Sequence, residues 1–458
     1  PYGVGGDGAA VAAFPSFEIT NEELANFKHI HKTKKAPFSG ENGSVTVTIT
    51  LTAEIEDVGE VTLTAEKYDS WIPEGNTREA ARPGNTLTFT AKVHPVGQPR
   101  KTSDRRAKLT FTLADVSREP GVCLNWPKAA ASSQDTQEDL KFLAQDDPKV
   151  EVESPFKAVT SEAVNEVKIT VSSFDFAAFG RLRVVAVDDQ GRSLKVRFRD
   201  QENPSIDLPK SELGGRIADA WRIAEGVQDL PVDWDEATIP GQKAKGDGMS
   251  LLHKYRGLRV GRDGGAYTRL KAREKVHFVI DPAGVFDPER WRRATGGIQA
   301  YLMDEANTEA RRVDFNASTR TNGGRGKCAV RIDIYPGLEE KDPPPDEHGR
   351  KSPPATNLLQ YAYTWGDTPA TTQRIRIFED RIRAMIGRIQ KATLKVLQDP
   401  QTDEERALAA YLLTLGSRED LVRRAKTANH EALTQAMLAL TAIHEMGHAC
   451  GVQGHLNA

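Results

Sequence analysis

The sequence predicts a multidomain protein with an all-β sandwich in its N-terminal part and a mixed α and β domain in its C-terminal part. Two patterns support this prediction: apolar and polar residues alternate from residue 41 to about residue 200, and a helical period replaces this alternation toward the C-terminus. The length of 458 residues agrees with several domains, because a domain takes about 150 residues on average.

The N-terminal part is rich in threonine, and every second residue of its regular segments is apolar. The clearest segments are SVTVTITLTAEI, NTLTFTAKV and KLTFTL, and they are separated by glycine, proline and asparagine. Half-buried antiparallel strands have this period of two. Several such strands in series predict an immunoglobulin-like β-sandwich over residues 41–200, built as one module or as two.

Two segments without a strong period flank the predicted sandwich. Residues 1–40 begin with PYGVGGDGAA and continue with the basic run HKTKK, which predicts a loosely ordered lead-in. Residues 201–270 are predicted to be a connector with a short helix around Trp221.

The connector contains the sequence GDGMS, which resembles the calcium loops of bacterial extracellular modules. A calcium ion takes six to eight oxygen ligands, largely from carboxylates at alternate loop positions. Asp247 is a suitable ligand, but Lys243 and Lys245 stand where acids would be needed. Calcium binding is therefore one interpretation of this segment, and a plain connector is the other.

From residue 271 onward, short apolar strands and helical segments are mixed. KVHFVIDP and CAVRIDIYPG are predicted strands. Thr402 is the predicted N-cap of a helix with an acidic first turn. One long helix is predicted from apolar residues spaced three and four apart, namely Ile375, Phe378, Ile382, Met385, Ile386 and Ile389. These segments predict an α+β domain over residues 271–458.

The segment EALTQAMLALTAIHEMGHACG has a strong helical propensity, and Gly451 is a plausible end of the helix. Its predicted buried stripe consists of Leu433, Ala436, Met437, Leu440 and Ile443.

The same helix carries a candidate metal site. His444 and His448 are four residues apart, so their side chains project from the same side of the helix, one turn apart. Two imidazoles in this arrangement can bind one zinc ion. Glu445 lies about 100° further round the helix, beside the metal, where it can take a proton from a zinc-bound water. This spacing, His-Glu-x-x-His, predicts a zinc site with a general base.

The run HEMGHACG resembles the zinc-binding helix of the zincin metallopeptidases. Gly451 narrows the resemblance to the metzincins, whose pattern is His-Glu-x-x-His-x-x-Gly-x-x-His. The resemblance implies a zincin-type metallopeptidase domain, with His444 and His448 as zinc ligands and Glu445 as the general base. It is close over about 12 residues and loose over the rest of 271–458.

The third ligand of the metzincin pattern falls on Gly454 in this sequence, and His455 follows one residue later. A turn beside a glycine can absorb one extra residue. His455 is therefore the candidate third metal ligand, since a catalytic zinc ion needs three protein ligands.

These residues predict a zinc-dependent endopeptidase with a protein or peptide substrate, located outside the cell or on its surface. Enzymes of the zincin type hold an extended substrate on a sheet edge, and CAVRIDIYPG is the candidate edge strand. The alternative is a zincin-like surface binding or structural protein that has lost turnover.

Composition argues against several other classes. The 62 basic and 65 acidic residues nearly cancel, so bulk charge gives no reason to expect nucleic-acid binding. The longest apolar runs fall short of the roughly 18 residues that a membrane-spanning helix needs. The sequence has three scattered cysteines, namely Cys123, Cys328 and Cys450, and so few do not predict a disulfide framework. His277 is predicted to be a packing or surface residue, because it lacks the spacing of a metal ligand. Cys450 is predicted to be a buried packing residue, because on the helix it points about 200° away from His448.

Overall fold

A computed structural model of the chain describes residues 29–40, 43–54, 59–97, 104–133, 137–235, 246–318, 326–335, 362–365 and 374–450. The first two strands, β1 (His29–Gly40) and β2 (Gly43–Glu54), pair antiparallel along their whole length and form a hairpin of their own. The end of the predicted lead-in is therefore a strand.

Eleven strands between residues 59 and 208 form one continuous sheet. They are β3 (Gly59–Thr64), β4 (Asn85–Pro95), β5 (Ala107–Ala114), β6 (Leu140–Phe142), β7 (Val150–Ser154), β8 (Lys157–Thr160), β9 (Glu166–Ser173), β10 (Gly180–Asp188), β11 (Ser193–Phe198), β12 (Gln201–Glu202) and β13 (Ile206–Leu208). Their order is β6-β9-β4-β3-β11-β10-β5-β8-β7, with β12 beside β11 and β13 beside β10. Helix α1 (Lys128–Ser133) lies between β5 and β6 in the chain.

The prediction of an immunoglobulin-like β-sandwich is wrong. A sandwich consists of two separate sheets that face each other. Here β10 pairs with β11, and this pairing joins the strands β6-β9-β4-β3-β11 to the strands β10-β5-β8-β7 in one sheet. The sheet is also mixed, because β3 pairs parallel with β11. It curls into an almost closed barrel: Leu140 of β6 and Ala158 of β8 belong to one hydrophobic core, and Phe142 N–H donates to the carbonyl of Pro155 at 2.7 Å.

The alternating pattern does predict which strand faces are buried. Leu87 and Phe89 in β4 and Leu109 and Phe111 in β5 are at most 2% exposed, while the threonines between them are partly or fully exposed. A period of two thus identifies the buried face of each strand. The same period does not predict which strands pair with each other, because the strands of a sandwich and those of a curled sheet both bury one face.

The predicted connector contains α2 (Asp219–Glu225), α3 (Leu251–Arg256), β14 (Leu258–Val260) and β15 (Ala266–Thr268). The helix predicted around Trp221 is confirmed. The Trp221 side chain is buried, and its ring lies 5.2 Å from that of Tyr255, which joins α2 to α3 in one hydrophobic cluster.

Asp247 of the GDGMS segment is bound by protein groups. Its carboxylate accepts hydrogen bonds from Met249 N–H and Val276 N–H, both at 2.8 Å, and Lys254 Nζ lies 3.3 Å away. Both members of this ion pair are almost completely buried. Because Lys254 supplies the positive charge and backbone amides bind both carboxylate oxygens, the structure adds no support for calcium at Asp247.

The C-terminal part contains a five-stranded mixed sheet in the order β17-β16-β18-β20-β19. Its strands are β16 (Val276–Ile280), β17 (Gln299–Leu302), β18 (Val330–Tyr335), β19 (Ala362–Trp365) and β20 (Arg374–Phe378). All neighbours pair parallel except β19, which is antiparallel to β20. Helix α4 (Pro288–Ala294) connects β16 to β17, as parallel strands require a crossover. The predicted edge strand, β18, lies inside this sheet.

Four helices follow the last strand: α5 (Glu379–Gln398), α6 (Asp403–Leu413), α7 (Arg418–Lys426) and α8 (His430–Ala449). The N-cap predicted at Thr402 is confirmed, with a capping box to Glu405. The predicted long helix begins later than its apolar pattern suggests, because Ile375 and Phe378 belong to β20. None of the described helices is long and apolar enough to cross a membrane.

The prediction of an α+β zincin-type metallopeptidase domain is also not supported. The sheet of this part is mainly parallel, and its core is shared with earlier segments: Phe278 of β16 packs in one cluster with Leu124 and Met249. The resemblance that led to this prediction covers about 12 residues of one helix, which specify neither a sheet order nor a domain. The boundary near residue 270 stays a prediction.

Candidate metal centre

Helix α8 is defined by local signals at both of its described ends. Asn429 is the N-cap, and its side chain accepts a hydrogen bond from Ala432 N–H at 3.1 Å. Glu431 lies in the first turn, where a negative charge is favourable. At the other end, Cys450 N–H donates to the carbonyls of Met446 and Gly447.

The buried face of α8 overlaps the predicted stripe only at Ile443, which is buried, and at Met437, which is partly buried. Leu438, Ala442 and Met446 are at most 2% exposed and pack against residues of the five-stranded sheet and α5. By contrast, Leu433 is 42% exposed and Leu440 is 51% exposed. The helix carries apolar residues on two neighbouring stripes, so that its sequence does not show which stripe contacts the sheet.

His444 and His448 lie side by side on this helix. Their Nε2 atoms are 3.1 Å apart, their ring centroids are 4.7 Å apart, and the rings are nearly perpendicular. Two nitrogen atoms that each lie about 2.05 Å from one tetrahedral zinc ion are about 3.3 Å apart. The separation of the two Nε2 atoms is therefore close to the one that a shared zinc ion requires.

Glu445 completes the group that the sequence predicts. One ligand atom from each of His444, Glu445 and His448 lies within 4.8 Å of the other two. His444 is exposed and His448 is half-buried, whereas Glu445 is only 9% exposed. The carboxylate is thus close to the position that an ion would take, as a general base requires.

His455, the candidate third ligand, lies outside the described residues, as do Gly451 and Gly454. Its role stays a prediction from the sequence.

One contact beside this group was not predicted. Cys450 Sγ lies 3.4 Å from Nε2 of His277 on β16, and the His277 ring packs edge-on against Trp291 at 5.9 Å. Burial raises the pKa of Cys450 to about 11. Burial, assisted by the charge of Lys327, lowers the pKa of His277 to about 4. Both groups are therefore neutral at pH 7, and Cys450 is not an activated nucleophile.

All three cysteines are free, as the absence of a predicted disulfide framework suggests. Cys123 is buried, Cys328 is exposed and Cys450 is half-buried. No sequence signal could have paired Cys450 with His277, because the two residues are 173 positions apart.

Comparison with known proteins assigns no family to this chain. No protein-family profile matches it. No curated protein matches it significantly either.

Solved structures resemble only part of the chain. A reeler domain of human F-spondin is 12% identical, with 31% of this chain and 84% of that chain covered and a TM-score of 0.18. The DNA-binding domain of C. elegans Cep-1 is 8% identical, with coverages of 32% and 88% and a TM-score of 0.19. A cohesin module of a Clostridium perfringens family 33 glycoside hydrolase is 10% identical, with coverages of 31% and 99% and a TM-score of 0.14. Similarities at this level carry no argument about fold or function.

Proposed function

We propose that this protein is a zinc-dependent endopeptidase in which His444 and His448 bind the metal ion and Glu445 is the general base. The observation that carries the proposal is the 3.1 Å separation of the two Nε2 atoms, with the Glu445 carboxylate in the same group. The resemblance of HEMGHACG to a zincin helix supports the same chemistry.

The donor set favours zinc over other common ions. Imidazole nitrogen is a ligand for zinc and for other late transition metals, whereas calcium and magnesium are bound almost entirely by oxygen. Two imidazoles need a third protein ligand to form a catalytic zinc site. His455 is the residue that the proposal assigns to this position.

The residues of the site have distinct tasks. A bound zinc ion lowers the pKa of a coordinated water toward 7 and polarises a carbonyl group. The Glu445 carboxylate accepts the proton of the attacking water and donates it to the leaving amine. The same carboxylate can serve both steps, because it lies in one group with the two histidines.

The substrate in this proposal is an extended peptide that adds to a sheet edge. β19 is the best candidate for this edge: among the described strands it pairs with β20 alone, and it contacts α8. A peptide on β19 gains backbone hydrogen bonds and lies beside the helix that carries the histidines. β18, the strand predicted from the sequence, is a poorer candidate, because β20 pairs along one of its edges and β16 pairs with its first two residues on the other.

The test compares the Glu445→Gln variant with the wild-type protein in a casein-cleavage assay and measures the zinc content of each. We expect zinc to stay bound and cleavage to fall at least about hundredfold, since general acid–base catalysis contributes about 10²–10⁴-fold. Glu431→Gln is the matched control, because Glu431 lies in the first turn of the same helix and is exposed.

Three results would contradict parts of the proposal. Cleavage by Glu445→Gln at the wild-type rate excludes Glu445 as the general base. A zinc-free wild-type protein that fails to take up added zinc excludes the metal site. A zinc-bound wild-type protein that cleaves neither casein nor a mixed peptide library is the inactive surface protein of the alternative interpretation.

A further inference from the structure

A second candidate site lies at one end of the 11-stranded sheet, where β5 and β13 end and β10 begins. A cleft of about 670 Å³ opens there, lined by the loop after β5, the start of β10 and the loop that follows β13. Its volume is typical of clefts that bind small molecules, which measure about 300–1,000 Å³.

The loop on one side of this cleft, residues 211–216, is held in place by two buried side chains of α2. The Asp219 carboxylate accepts hydrogen bonds from Glu212 N–H at 3.0 Å and Leu213 N–H at 3.1 Å. The Arg222 guanidinium donates to the Gly214 carbonyl at 3.1 Å. Both side chains are at most 4% exposed, so buried groups anchor the loop from the side of α2.

The loop ends in an unusual backbone conformation. Gly214, Gly215 and Arg216 have consecutive φ values of +90°, +77° and +64°. Glycine adopts such values readily, but arginine rarely does. A side chain at Gly215 would meet Val232 at 1.9 Å, so that this turn also requires glycine. Strained positions of this kind concentrate at functional sites.

The strained turn places the Arg216 guanidinium over the ring of Phe179, with 4.1 Å between Cζ and the ring centroid. Stacking leaves the N–H groups at the edge of the guanidinium for other partners. Within the part of the chain that the structure describes, Arg216 has no ion pair. The other cations of the cleft do: Arg181 binds Asp115 and Asp207, at 3.2 and 3.0 Å, and Arg118 binds Glu138 at 3.3 Å.

We propose that this cleft binds an organic carboxylate, with Arg216 as the residue that binds the carboxylate group. A planar guanidinium matches a carboxylate with two parallel hydrogen bonds. The ligand carries one negative charge, because one cation is unpaired. A dianion such as a phosphate ester would need a second free cation, whereas Arg118 and Arg181 of the described lining are already paired with carboxylates. The inference does not depend on the metal centre.

Calorimetric titration of the protein tests this inference with five probes. Benzoate is the carboxylate, benzamide is its neutral analogue, and phenyl phosphate is its dianionic analogue. An N-acetylated dipeptide with a free C-terminus, compared with its C-terminal amide, distinguishes a peptide carboxylate from a small free acid. We expect benzoate or the free-acid peptide to bind and the neutral analogues to bind at least tenfold more weakly.

Arg216→Gly is the decisive variant, because glycine accepts the φ of this position and the fold is retained. We expect about tenfold to hundredfold weaker carboxylate binding, as the loss of charged hydrogen bonds predicts, and an unchanged or higher Tm. The control is Arg82→Gly, which removes an exposed arginine outside the cleft. Equal binding by wild type and Arg216→Gly, tighter binding of phenyl phosphate, or failure of every carboxylate probe overturns the proposal.

Discussion

Cys450 Sγ lies 3.4 Å from Nε2 of His277, and this contact joins the C-terminal end of α8 to strand β16 in the interior of the five-stranded sheet. His448 is two residues before Cys450, so the contact restrains the turn of the helix that carries a proposed metal ligand. Through the neutral side chains of His277 and Cys450, the sheet thereby helps to position the last turn of α8, which carries His448.

The pKa of His277 predicts a specific loss of stability in acid. It is about 4 in the folded protein, against 6.5 for an ordinary histidine. Between these two pH values the unfolded chain binds the proton of His277 more tightly than the folded protein does. The contribution of His277 to the free energy of unfolding is therefore fully present above pH 6.5 and is lost as the pH falls toward 4. The shift corresponds to at most about 3 kcal/mol.

His277→Asn, measured by urea unfolding in the presence of EDTA from pH 7 to pH 4, tests this prediction. We expect the free energy of unfolding to fall less steeply with acid in the variant than in the wild type. Parallel curves for the two proteins would show that His277 does not titrate in this way.

Removal of one imidazole should abolish tight zinc binding. We expect His448→Ala to bind zinc at least about hundredfold more weakly than the wild type, because only two of the three proposed ligands, His444 and His455, remain. Competition with a chromogenic chelator measures this change. His430→Ala is the control, since His430 is an exposed histidine at the start of the same helix. Equal losses in both variants would indicate a general disturbance of the helix.

His455→Ala tests the third ligand separately. If His455 binds the ion, His455→Ala should weaken zinc binding about as much as His448→Ala does. In a separate experiment, the wild-type protein should lose activity when a chelator removes the metal. Unchanged zinc affinity in His455→Ala would show that another group completes the site.

Arg256 should be a major determinant of stability. Its guanidinium is buried, donates to Asp175 at 2.7 Å and binds the carbonyls of Asn316 and Pro120, both at 2.6 Å. We expect Arg256→Met to cost about 3–5 kcal/mol, because it leaves Asp175 buried without its cation. Thermal unfolding measures this change.

Arg256→Met combined with Asp175→Asn should recover part of that loss, since the second substitution removes the unpaired charge. The exposed pair of Arg82 and Glu79 offers a control, and Arg82→Met should change stability by less than about 1 kcal/mol. A loss of this small size in Arg256→Met would contradict the assignment.

Much of the candidate metal site follows from local sequence. His444, Glu445 and His448 are within one helical turn and a half, so the 3.6-residue period alone brings their ligand atoms together. The neighbouring contact between His277 and Cys450 could not be predicted, because it depends on how α8 packs on the sheet. The carboxylate cleft was also missed, since Phe179 and Arg216 meet only through the pairing of distant strands.

The fold shows the same division between local and distant information. The strands that contain Phe89 and Phe111 and the N-cap at Thr402 were predicted, since each depends on residues a few positions apart. The sandwich was wrong, because the alternating period is the same for any sheet with one buried face. The zincin-type domain is not supported, because the roughly 12 residues that led to it specify no sheet order. The β10–β11 hairpin makes the sheet continuous, and the alternation of apolar and polar residues does not predict this pairing.

The parallel pairing of β3 with β11 also affects how the protein is made. β3 is the first strand of the large sheet in the chain, yet its partner β11 ends at Phe198, so ribosomal synthesis must pass this residue before β3 has both neighbours. Contacts between such distant segments slow folding and expose apolar strands in the meantime. Nascent chains that stop before Ser193 should therefore depend on chaperones to remain soluble.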